Sequence, residues 1–132
     1  MTTSSVSAVI FANHLRKVAA FYQGVFAIHS SRADRDHDVL VFPGFELTIH
    51  QIQQRLLTLE SVDSPPERRE RSAIRLDFPV TDLEQARREA TRLGGVIDDL
   101  PPAWAGNDTH FFLGHDPEGN VFGVRVSRRR EP

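Results

Sequence analysis

The stretch HDPEGNVFGV occupies residues 115–124. Its first half is a turn. Asp116-Pro117-Glu118-Gly119-Asn120 places a proline, a glycine and turn-forming polar residues between two apolar runs. Its second half reads as a strand with a bare glycine, Gly123, in the middle. Glycine forfeits packing in a strand, so it marks a bulge or a close approach by another group.

Before this turn lies a strand over 109–114, and after it a last strand over 120–127. Upstream, PPAWAGND (101–108) reads as a loop and 96–100 as another strand. Thr81 or Asp82 caps a helix, DLEQARREATRL, which stops at Gly94-Gly95 as helices often do. Residues 73–80 form the strand that leads into it.

The same order stands earlier in the chain. VSAVIFA (6–12) is a strand, and Asn13 is placed to cap the helix after it. Leu15, Val18, Ala19 and Tyr22 then recur at helical spacing within 14–26. Three strand-like runs come next, 27–33, 38–42 and 45–53, with Pro43-Gly44 turning between the last two. Between the halves, LESVDSPPERRERS (59–72) has two prolines, many charges and no apolar period, which reads as a solvated linker.

Each half is therefore strand, helix, three strands. NHL (13–15) stands where TDL (81–83) does, and PGFELTI (43–49) where NVFGVRV (120–126) does, with Phe45 and Phe122 in register. A duplication of this kind is a strong clue to fold. A ferredoxin-like βαββαβ arrangement would leave one strand-like run per half unassigned. The expected fold is α+β, one domain over 1–132, with module 1 at about 6–58, the linker at 59–72 and module 2 at about 73–127.

The paired βαβββ halves, FYQGVF (21–26), TDLEQARREATRLGG (81–95) and above all DPEGNVFGV resemble the vicinal oxygen chelate superfamily. That group includes glyoxalase I, the bleomycin- and fosfomycin-resistance proteins and the extradiol dioxygenases. The resemblance spans about 6–127. It implies two modules curled into a half-open barrel around a cavity, a homodimer, and in the enzymes a divalent metal. The metal's ligands come from the first and last strand of each half. Carried over, those positions fall on Ser7, Glu46, Arg75 and Gly123, and FELT (45–48) is similar to the Glu-Leu-Thr of glyoxalase I. One carboxylate, one hydroxyl, one cation and no side chain do not make a metal's donor set. The six histidines (14, 29, 37, 50, 110 and 115) miss the ligand positions and show no HxH or HExxH spacing. No metal and no cofactor is expected.

Residues two apart share a face of a strand. If Glu46 faces the cavity, so does His50; if Arg75 does, so does Asp77; and Arg125 accompanies Gly123. The candidate ligand-binding residues are thus Glu46, His50, Arg75, Asp77 and Arg125. Trp104 joins them, because the resemblance puts its loop at the cavity mouth. Arg75 is expected to pair with Glu46 or Asp77, and the space over Gly123 to admit a ligand or the Arg75 side chain. Phe11, Phe21, Phe26, Phe78 and Phe122 read as core, while Phe42 and Phe45 are expected on opposite faces.

A metal-independent protein that binds a small molecule, antibiotic-like or metabolite, is the first functional expectation. A glyoxalase- or lyase-type enzyme is the alternative, with a rebuilt site using Glu46 as general base and Arg75 to stabilise charge; a regulatory member that binds nothing is the third. A formal charge of −2 gives no nucleic-acid signal, and the basic tail SRRREP (127–132) reads as a solvated end. The absence of cysteine excludes disulfides and thiolate metal sites. No apolar run approaches the ~20 residues of a membrane span, and MTTSSVSAV lacks a signal peptide's basic start. A cytoplasmic protein with no nucleic-acid or membrane partner is expected.

Overall fold

A computed structural model describes residues 6–53 and 67–127. Module 1 runs β1 (Val6–Ala12), α1 (Leu15–Phe26), β2 (His29–Ala33), β3 (His37–Phe42) and β4 (Phe45–Gln51). Module 2 runs β5 (Leu76–Val80), α2 (Leu83–Arg92), β6 (Val96–Ile97), β7 (Phe111–His115) and β8 (Val121–Val126). Sheet 1 has the order β1-β4-β3-β2 and sheet 2 the order β5-β8-β7-β6. In each, the first strand lies parallel to the last, and the remaining pairs are antiparallel. The expected pair of βαβββ modules is present. Pro79 can sit within β5 because that strand is an edge.

Each sheet gives one face to the helices. Ala8, Ile10, Leu47 and Ile49 do so in sheet 1, and Phe78, Val80, Phe122 and Val124 in sheet 2. Helix α1 meets them with Leu15, Val18, Ala19, Phe21, Tyr22 and Val25, the apolar stripe its spacing predicts. Helix α2 buries only Ala86 and Ala90. One core serves both modules. Phe26 stacks on Phe78 at 4.3 Å, Phe21 packs against Phe122 at 5.7 Å, and Phe42 reaches Phe78 at 5.5 Å.

Asp116 and Glu118, in the turn between β7 and β8, are buried. Asp116 organises the turn by accepting from the backbone N–H groups of Glu118 (2.8 Å) and Asn120 (3.1 Å) and from Asn120 Nδ2 (2.8 Å). It also accepts the hydroxyl of Tyr22 at 2.8 Å. Burial, reinforced by the Asp116 charge, raises the Tyr22 pKa well above its ordinary value, so the phenol stays a donor. Glu118 accepts from the backbone N–H groups of Asn13 and His14, both at 2.8 Å. The carboxylate that caps α1 therefore comes from module 2. Asn13 does not cap: the N-cap position is His14, whose side chain makes no capping bond. Gln51 supplies the next acceptor, to Leu15 N–H at 2.9 Å. Asp82, rather than Thr81, caps α2 through Gln85 N–H.

Other expectations shift. The strands read at 27–33 and 96–100 shorten to His29–Ala33 and Val96–Ile97. Residues 59–66 of the proposed linker lie outside the described residues, but its remainder is not simply solvated. Arg68 holds Asp98 through two hydrogen bonds of 2.7 and 2.8 Å, and Arg69 N–H donates to Gly119 O at 2.9 Å. Gly119 has φ 83°, and a Cβ there would overlap the Glu67 carbonyl. Only glycine suits both the turn and the contact. Phe11 is not core but 62% exposed, on the face of β1 away from α1. Phe42 and Phe45 pair directly across their hairpin and pack against the same core, so they share a face. A two-residue turn makes them cross-strand partners, which counting along one strand does not reveal.

Replacing Asp116 by Ala would strand a buried phenol and two backbone N–H groups. It is expected to cost about 3 kcal/mol, read as a lower urea midpoint at unchanged slope, whereas Asp36→Ala on the surface should change the midpoint little.

Candidate functional site

The sheet faces turned away from the helices carry the candidate residues. In sheet 1, Ser7 pairs with Glu46 and Phe11 with His50 across the parallel ladder. His50 meets Phe11 at 5.4 Å and His37 at 4.4 Å between ring centroids, and its Nδ1 lies 2.9 Å from Gln51 O. Val9 is 50% exposed beside them.

Sheet 2 is more tightly organised. Arg75 immediately precedes β5 and turns its guanidinium to Asp77, with Nε at 2.7 Å from Oδ1 and Nη2 at 3.1 Å from Oδ2. This fork raises the Arg75 pKa further. Arg125 approaches the same carboxylate at 3.8 Å. The Arg75 guanidinium also lies over two rings, 4.9 Å from the Phe111 centroid and 5.4 Å from that of Trp104. Trp104 sits in a short 3₁₀ turn, Ala103–Ala105, and touches Phe111 at 5.6 Å. Phe111 is buried although it lies outside the main core cluster.

Gly123 is the centre of this arrangement. It pairs with Asp77 on one side and Leu113 on the other. A Cβ at 123 would overlap Asp77 Oδ1 and come within 2.8 Å of the Phe111 ring. The expectation of open space above the glycine is corrected: the Asp77 carboxylate and Phe111 fill it.

The residues expected to form one pocket thus divide. Arg75, Asp77, Trp104 and Arg125 come together on sheet 2, and Arg75 chooses Asp77 over Glu46. Glu46 and His50 stand on sheet 1, and no hydrogen bond or ion pair among the described residues joins them to that cluster. Phe111 belongs with the cluster and was missed. Its signal lay in the register, since Phe111 pairs with Arg125. A separate apolar groove of about 400 Å³ lies where the modules meet, lined by Phe42, Phe45, Leu76, Phe78 and two prolines, with Asp77 at its edge.

A sequence model described as a glyoxalase-like domain matches residues 7–125. The chain belongs to this glyoxalase-like family. No curated protein matches it in sequence. Solved structures share its fold at low identity. The fosfomycin resistance protein FosX from Listeria monocytogenes is 15% identical, with a TM-score of 0.63 over 100% of this chain and 96% of its own. A glyoxalase/bleomycin resistance protein from Albidiferax ferrireducens is 17% identical, with a TM-score of 0.64 over 93% and 98%. A point mutant of Listeria FosX, 14% identical with a TM-score of 0.65 over 97% and 92%, is a complex with Mn(II) and 1S,2S-dihydroxypropylphosphonic acid.

The glyoxalase-like fold of this chain offers little to such a metal. The ladders set Ser7 beside Glu46 and Asp77 beside Gly123. Aligning Glu46 with Gly123 makes Asp77, rather than Arg75, the counterpart of Ser7. Counting back from the helix misplaced it because Asp77 precedes Leu83 by six residues, whereas Ser7 precedes Leu15 by eight. Asp77 is a carboxylate, but its oxygens are taken by a guanidinium. No three His, Asp or Glu side chains among the described residues converge as ligands. These residues do not fit a divalent ion.

Gly123→Ala is expected to cost about 1–3 kcal/mol by overpacking. The extra methyl should also displace Asp77 from Arg75, seen as a shift of the Trp104 emission maximum, because Arg75 lies over that ring.

Proposed function

We propose that this glyoxalase-like protein binds a small molecule without a metal and acts as a homodimer. The observation that carries the reading is the Arg75–Asp77 fork beside Gly123, which puts a fixed cation on the sheet 2 face. A guanidinium so placed opposes a divalent ion and favours a polar organic ligand. Trp104, 64% exposed at the edge of the cluster, supplies a stacking surface.

Dimer formation is supported by sheet 1. Val9, Phe11 and Val41, at 50%, 62% and 38% exposure, share the face with Glu46 and His50. Clustered exposed apolar residues of this kind mark an interaction surface. In the dimer Glu46 and His50 reach the ligand from the second copy. The alternative is an enzyme with Glu46 as base and Arg75 as charge stabiliser. No helix among the described residues is long and apolar enough to cross a membrane. A cytoplasmic location is part of this reading, and a chain without cysteine needs no oxidising compartment to fold.

Elemental analysis of the purified protein is expected to find no stoichiometric manganese, iron, nickel or zinc. A thermal-shift screen of small acids and planar antibiotics should yield compounds that raise Tm by several degrees, and addition of EDTA should leave the shift intact. Stoichiometric metal, or shifts that EDTA abolishes, would overturn the metal-independent reading. Light scattering should give a dimer mass for the native chain and a monomer mass for Phe11→Glu; a monomeric native chain would remove the homodimer.

A further inference from the structure

We propose that the outward face of sheet 2 binds a flat aromatic carboxylate, held by Arg75 and Arg125 and stacked on Trp104. This rests on the small-molecule binding reading and adds the class of the ligand.

The charge count is the first support. Arg75, Arg125 and Asp77 bring two cations and one anion together. Asp77 commits both oxygens to Arg75, at 2.7 and 3.1 Å, and meets Arg125 only at 3.8 Å. Among the described residues, neither Nη1 of Arg75 nor any nitrogen of the Arg125 side chain donates a hydrogen bond. Among the described residues, the cluster therefore presents guanidinium donors without partners and one net positive charge. A carboxylate is the group whose two oxygens match such donors. A cationic ligand would meet a carboxylate already paired.

Preorganisation is the second support. Arg75 is gripped by Asp77 and packed over Phe111 and Trp104, so it loses little freedom when a ligand arrives. Asp77 is a positioning residue: it aims the guanidinium and contributes no contact of its own. Its carboxylate fits there because residue 123 is glycine.

The third support is the ring beside the charge. Trp104 leaves 64% of its surface open beside Arg75, whereas the neighbouring Phe111 is buried. Stacking on the indole while a carboxylate addresses the guanidinium groups requires an acid attached directly to a flat ring. A bare inorganic anion would leave the indole unused.

Trp104 is the sole tryptophan, so the folded protein gives one indole N–H resonance in a ¹⁵N correlation spectrum. Titration with 2-naphthoate is expected to move that resonance and to saturate. The uncharged 2-naphthamide should bind at least about tenfold more weakly, the loss of one charge-assisted pair. Arg125→Ala, at a side chain 74% exposed and so compatible with folding, should weaken naphthoate about fivefold or more. Arg75→Lys, which keeps the charge and removes the fork, should weaken it as well. Equal binding of naphthamide, or unchanged affinity in both variants, would overturn the carboxylate assignment. Displacement of naphthoate by equimolar inorganic phosphate would overturn the aromatic part. If naphthoate is silent while another compound raises Tm, the ligand class falls and the binding reading stands. If nothing raises Tm, the binding reading falls too.

Discussion

Two buried carboxylates, Asp116 and Glu118, hold the modules in one arrangement. Neither has a cationic partner within the turn; both are met by N–H and O–H donors. Asp116 takes the Tyr22 hydroxyl, and Glu118 takes the first free N–H groups of α1. A helix start carries unsatisfied donors and a positive dipole end, so an acidic side chain there is worth more than a neutral acceptor. The acid comes from residues more than a hundred positions away, so α1 is completed only when module 2 docks. Phe26 stacked on Phe78, with Phe122 edge-on to both, fills the space this docking encloses.

A similar mutual dependence governs the sheet 2 face. Asp77 stands beside Phe111, and Arg75 holds its carboxylate in a fork. The pair needs room, and residue 123 gives up its side chain to provide it. The three residues form a set: a carboxylate at 123, as a metal site would want, would collide with Asp77. Two arginines, Arg75 and Arg125, share the single Asp77 carboxylate there.

Much of the fold was legible in the sequence. The DPEGN turn, the apolar stripe of α1, the cap and closing glycines of α2 and the order of runs specify paired βαβββ modules, because each depends on local spacing and local backbone preference. The candidate site was legible in part. Alternation along strands correctly grouped Arg75 with Asp77 and Gly123 with Arg125. It failed for Phe42 and Phe45, whose shared face comes from pairing across a hairpin. It missed Phe111, which joins the cluster only through its register with Arg125. Local reading credited Asn13 with a cap that Glu118 provides, because a long-range carboxylate outcompeted the local side chain.

Residue identity and spacing are properties of the chain, and they were enough to give the duplicated architecture and the glycine at position 123. What surrounds that glycine was settled in three dimensions. Whether Arg75 would meet Glu46 or Asp77, and whether Gly123 opens a space or yields one, depends on which atoms converge through three dimensions. A two-residue difference between Ser7 and Asp77 in their distance to the next helix was enough to move the answer. Close packing then fixed it, because the space beside Gly123 admits one carboxylate and one ring.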